Sequence, residues 1–161
     1  MSSHPSPSSG RTVKKIFCSL EECLGPLMTL TEKYIAATKA LASFERSIQV
    51  MREPKSLPCN VARDSLIKRF ILATDTFWKY VEAYLHARED VDLEMYGPNK
   101  ILLACVDNGI VDDEDYLLFV CMIQDRLITP LGFDEELMGA VAQRIPEYFS
   151  VMKVVLEKAK P

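Results

Sequence analysis

The stretch RDSLIKRFILATDTFWKYVEAYL, residues 63–85, decides the fold. Leu66, Phe70, Ala73, Phe77, Tyr80 and Tyr84 recur at three- and four-residue spacing, so on a helix they form one stripe. Ile67, Ile71, Trp78, Val81 and Leu85 widen that stripe well beyond a narrow seam. A helix this apolar is stable only when covered on a broad front, as inside a bundle. The pattern extends from about Asn60 to Arg88.

The same period continues outward in both directions. Upstream, LMTLTEKYIAATKALASFERSIQVMRE places Leu30, Tyr34, Ala37, Leu41, Phe44 and Ile48 on one face. Pro54 and Pro58 stop it, and Gly25-Pro26 precedes it, with Pro26 expected in its first turn. A shorter amphipathic pattern, TVKKIFCSLEECL, carries Val13, Ile16, Phe17, Leu20 and Leu24. Downstream, NKILLACVDNGIV reads as a short helix closed by Asn108-Gly109. DDEDYLLFVCMIQDRLI follows, with Asp112 and Asp113 as candidate N-caps and acidic residues in the first turn. The last helix opens at Asp134, and Pro146 is expected to bend or break it. Sustained period-two alternation is missing, and no repeat is seen. The expected fold is therefore all-α: an up-and-down four-helix bundle with extra short helices. One domain over residues 13–161 follows a polar Ser/Pro-rich tail at 1–12, expected to be disordered.

Composition narrows the function. The chain has 161 residues, enough for one substantial core, with 48% hydrophobic and 26% charged residues. A net charge of −4 argues against a basic grip on nucleic acid over the whole surface. Five cysteines without a CxxC pair do not form a disulfide framework, so a reducing cytoplasm is the expected location. With His4 and His86 as the only histidines, no metal site is expected. The N-terminal residues lack the apolar core of a signal peptide, and no apolar run is long enough to span a membrane.

Motifs for common chemistries are missing: there is no phosphate-binding GxxxxGK[ST] loop, HExxH pair or GxSxG elbow. A nucleophilic triad would need His4, in the tail, or His86, near a helix end. Asp90-Val91-Asp92 has the form of a magnesium-binding DxD, but a solvated turn is the simpler reading. Cys18, Cys105 and Cys121 sit among apolar residues and are expected to pack as small hydrophobes, and Trp78 as a core anchor. Arg126, at the end of an apolar helix, has three readings. It caps the helix carbonyls, pairs with a carboxylate on a facing helix, or offers its planar fork to a phosphate or acidic partner.

Together these segments resemble the nucleotidyltransferase substrate-binding protein family. The resemblance rests on Arg63-Asp64, Arg69-Phe70, Asp75 and Trp78-Lys79 in the long apolar helix. It also rests on NGIVDDEDYLLFVCMIQDR and on FDEEL at the start of the last helix. It implies membership of the HEPN superfamily of helical bundles and similarity to the helical C-terminal domain of kanamycin nucleotidyltransferase. It further implies a homodimer and a separately encoded minimal nucleotidyltransferase as partner, which supplies the catalytic carboxylates. Some such relatives are toxin–antitoxin modules whose helical member is an RNase.

Those RNase relatives carry an Arg-Asn-x-x-x-His-like motif where this chain has Arg126. Here Leu127 stands at the Asn position and Leu131 at the His position, and no histidine follows His86. RNA cleavage without a metal needs a group that moves protons near neutral pH, which leucine cannot do. The expectation is a non-enzymatic subunit, without catalytic residues or cofactor, that binds substrate or partner for a nucleotidyltransferase. A nucleotide or RNA is the ligand class implied. The candidate groove comprises Arg126, Asp125 and Thr129, with Arg69, Asp75 and Lys79 from the neighbouring helix. The alternatives are an interaction scaffold with no nucleotide link, and a residual RNase.

Overall fold

A computed structural model describes residues 28–53, 57–88, 97–131 and 134–161. The tail at 1–12, the pattern at Val13–Leu24, Pro26 and the Asp90–Asp92 stretch lie outside the described residues. The described chain is all-α. Its helices are α1 (Leu30–Arg52), α2 (Cys59–His86), α3 (Pro98–Asp107), α4 (Tyr116–Ile128) and α5 (Glu135–Lys158). A 3-10 turn at Thr129–Leu131 joins the last two.

Ring contacts fix the directions. Tyr34 meets Tyr80 and Phe44 meets Phe70, so α1 and α2 are antiparallel. Phe77 meets Phe119 while Asp75 meets Arg126, so α4 runs against α2. Phe70 meets Tyr148 and the Tyr80 hydroxyl donates to the Ala159 carbonyl, so α5 runs with α2. The four main helices thus alternate up and down, and short α3 bridges α2 and α4. The stripe read from residues 63–85 is the core of this arrangement. Leu66, Phe70, Phe77, Tyr80, Val81 and Leu85 are at most 1% exposed. Each such side chain contributes about 1.5–3 kcal/mol on burial, so α2 is a major source of the apolar stabilisation.

Local chemistry sets the ends. Thr29 and Glu32 form a reciprocal capping box that starts α1 at Leu30. Gly109 at φ 66° closes α3 in the left-handed conformation, and the Ile110 amide reaches back to the Cys105 carbonyl. Asp134 caps α5 by accepting the Leu137 amide at 3.0 Å.

Three expectations need correction. Asp112 and Asp113 do not cap α4: they lie in a preceding turn, and Asp115 is the N-cap without a side-chain bond. Asp112 pairs instead with Lys158 Nζ at 2.9 Å, an exposed tie to the end of α5. Pro146 does not break α5, which runs through it. A proline in a helix interior costs about 3 kcal/mol, but Ile145, Tyr148 and Met152 beside it are fully buried and outweigh that. Cys121 is exposed, whereas Cys105 is buried as expected.

Candidate functional site

The polar residues of the bundle converge where the C-terminal half of α4 crosses α2 and α5. Two consecutive residues organise this edge. Asp125 and Arg126 are about 100° apart around α4, so they face different neighbours. Arg126 turns to α2. Its Nε and Nη2 donate to the two carboxylate oxygens of Asp75, both at 2.8 Å. This bidentate pair selects the facing-carboxylate reading of Arg126 from the three that the sequence left open. It is half-open to solvent, with side-chain exposures of 24% for Arg126 and 42% for Asp75.

Asp125 turns to α5. It accepts Arg144 Nη2 at 2.7 Å and Arg144 Nε at 3.0 Å. The Tyr148 hydroxyl donates to it at 2.6 Å. The Asp125 side chain is only 6% exposed, so its charge is neutralised inside the protein. Hydrogen bonding to Asp125 pushes the Arg144 guanidinium further up from its ordinary value. Burial, reinforced by Asp125, likewise pushes the Tyr148 phenol up, so it does not exchange protons near neutrality. Arg144 and Tyr148 were not singled out from the sequence. Their four-residue spacing on one face of the last helix was the available signal.

The remaining predicted residues are placed as follows. Thr129 is buried, and its hydroxyl donates to the Arg126 carbonyl at 3.0 Å, closing the end of α4. Lys79 is exposed one turn beyond Asp75 on the same edge of α2. Arg69 is also exposed but lies about 120° around α2 from Asp75, across the solvent face. Neither has an ion-pair partner among the described residues. The structure therefore joins Arg126 to Asp75, with Lys79 one turn along α2 from that pair. It sets Arg69 apart and turns the polar atoms of Asp125 and Thr129 inward.

Trp78 packs against Phe77 and Phe119 within its own chain. Its indole Nε1 and the Thr74 hydroxyl one turn earlier are buried without hydrogen-bond partners. Leu127, at the position where the RNase relatives have Asn, is 59% exposed. Among the described residues, no cluster of three His, Cys, Asp or Glu side chains is placed to hold a metal. None of the described helices is long and apolar enough to cross a membrane.

These features define a class: an up-and-down helical bundle with an arginine-centred polar edge. The family model described as nucleotidyltransferase substrate binding protein like matches residues 32–161. That match spans most of the chain, and the chain belongs to this family. A crystal structure of a Thermus thermophilus protein is similar, with a TM-score of 0.67 and 30% sequence identity. The similarity covers 78% of this chain and 99% of that one. A comparison with curated proteins finds no match.

Proposed function

We propose that the protein is a non-catalytic, cytoplasmic subunit that binds substrate or partner for a separately encoded minimal nucleotidyltransferase. The observation that carries this reading is the half-open Arg126–Asp75 pair with Lys79, which has no ion-pair partner among the described residues, one turn away. A phosphate or carboxylate offers the same two-oxygen edge as Asp75, so it can take over the guanidinium fork. Such an exchange swaps one bidentate partner of the half-open guanidinium for another. Lys79 adds a second positive charge beside the incoming anion, and exposed Arg69 extends the basic character across α2. Asp125 and Thr129 serve this edge indirectly, by fixing the end of α4 from which Arg126 projects. The family to which the chain belongs supports the link to a nucleotidyltransferase.

Arg126, at the centre of this edge, is not a proton-transfer group near neutral pH. An arginine does not deprotonate, and Tyr148 is buried with its pKa pushed up. The nucleotide chemistry, including any magnesium, belongs to the partner in this reading, and the ligand at Arg126 is a nucleotide, an RNA phosphate or an acidic surface of the partner.

The reading includes a homodimer. Trp78 is covered within its own chain, while α4 carries the two most exposed of the large hydrophobic residues described. Leu117 is 72% exposed, and Cys121 and Leu127 follow on the outer side of a helix that is apolar nearly all round. A second copy covering α4 removes that surface from water.

Co-purification tests the proposal. The chain is expected to pull down a nucleotidyltransferase, and Arg126→Ala is expected to weaken that complex or its nucleotide binding. The internal Arg126–Asp75 contact also favours a second reading, a scaffold in which Arg126 only joins two helices. Under that reading Arg126→Ala lowers stability and leaves binding intact.

A further inference from the structure

Helix α4 has 13 residues, and Asp125 and Arg126 are its only charged ones. Both are turned to neighbouring helices by their ion pairs. The outer face of α4 is therefore free of charge. Leu117, Cys121, Gln124 and Leu127 recur on it at four- and three-residue spacing, and all four are exposed. Leu117 at 72% and Leu127 at 59% bound this strip, which covers about 15 Å of the helix. Charge begins only in the turn ahead of α4. There Asp112 is held by Lys158, while Asp113 and Glu114 are exposed without an ion-pair partner among the described residues.

We propose that this strip packs against the same strip of a second copy, with the two α4 helices antiparallel about a two-fold axis level with Met122. This arrangement rests on the homodimer reading above and adds which face each copy presents and in which direction. Three features of the strip point to a copy of itself. The first is charge. An uncharged strip gives a partner of opposite sign nothing to pair with, and a copy brings no like charge against it.

The second is self-complementarity. In either direction the strip reads leucine, two uncharged residues, leucine. Turned end to end, Leu117 falls level with Leu127 of the partner subunit, and Cys121 with Gln124 of the partner subunit. The reciprocal pairs follow from the two-fold, as an isologous interface requires. At the usual helix separation of about 8–10 Å, the leucine pairs withdraw the two most exposed large side chains from water.

The third is the acidic turn. Parallel helices would set Asp113 and Glu114 of both copies side by side. Antiparallel helices hold the two turns about 27 Å apart along the axis, well beyond a Debye length of about 8–10 Å.

The test uses the full chain. The parent is expected to sediment as a dimer at micromolar concentration. Leu117→Glu combined with Leu127→Glu, both at exposed positions, is expected to weaken the dimer at least ten-fold with the helical circular dichroism unchanged. Direction is read by cross-linking, which does not depend on how the glutamate variant folds. Cys18, Cys23, Cys59 and Cys121 are replaced by serine, leaving Cys105, which is buried. Chains carrying Leu117→Cys exchange subunits with isotope-labelled chains carrying Leu127→Cys and are treated with a short bismaleimide. Cross-links from 117 of one chain type to 127 of the other are expected. Cross-links of 117 to 117 and 127 to 127 in their place overturn the antiparallel packing. A dimer that withstands the two glutamates and gives none of these cross-links overturns the proposal and leaves the homodimer standing on another face. A monomeric parent overturns both.

Discussion

Asp125 and Arg126 are neighbours in the chain and both form bidentate ion pairs, yet the two pairs are opposites. In Asp125–Arg144 the carboxylate is buried at 6% exposure and the arginine is open at 45%. In Arg126–Asp75 the arginine is the more covered partner at 24%, and the carboxylate is open at 42%. A third donor, Tyr148, saturates the first pair; among the described residues no third group joins the second. A buried carboxylate without its partners carries a large desolvation penalty, so the first pair is a lock between α4 and α5. The second pair is half open to solvent, so its arginine is the one within reach of a ligand. Adjacent residues on one helix thus divide the structural and binding roles by facing different neighbours.

The largest expected effect tests the lock. Asp125→Ala removes three hydrogen bonds, and the half-exposed Arg144 can turn to water. A loss of about 2–4 kcal/mol in urea unfolding is expected, and a loss below about 0.5 kcal/mol would erase the contrast between the two pairs. Tyr148→Phe keeps the ring and removes one charged hydrogen bond, so about 1–2 kcal/mol should be lost.

Alkaline pH probes the core around Tyr80, where its hydroxyl meets the end of α5. Burial, with smaller effects from Tyr84 and Tyr34, raises the Tyr80 phenol from 10.0 to about 12. The folded state therefore holds its proton more tightly than the unfolded state. The stabilisation this represents is complete below pH 10 and is lost as pH rises toward about 12. The denaturation midpoint should fall across that window, and Tyr80→Phe should flatten the fall.

Smaller still is Arg126→Ala, expected to lower stability by about 1 kcal/mol or less. For Arg69→Ala and Lys79→Ala, both exposed, thermal melts should be unchanged while binding of an anionic ligand weakens, more for Lys79 because it shares the Asp75 edge.

The bundle was readable because it rests on period and burial. The stripe from Leu66 to Leu85, the Asn108-Gly109 stop and the Asp134 cap are local patterns whose physics acts within a few residues. The site was only half readable, because its pairs span 51 residues for Arg126–Asp75 and 19 for Asp125–Arg144. The sequence placed Arg126 and Asp75 in one candidate groove. It did not distinguish that open pair from the buried one beside it, since which side of α4 is covered depends on how α5 packs. Cys121 shows the same limit: an apolar surrounding in sequence was no guide to the outer side of a helix apolar nearly all round.

The central claim is that Arg126 binds while Asp125 holds the fold. The most direct test measures, by titration calorimetry at low salt, the affinity for the co-purified nucleotidyltransferase and for a nucleoside triphosphate, comparing the parent chain with Arg126→Ala. At least a ten-fold loss of affinity for one of the two ligands is predicted, with an unfolding free energy within about 1 kcal/mol of the parent. Unchanged affinity for both, accompanied by a large loss of stability, would contradict the claim and return Arg126 to a purely structural role.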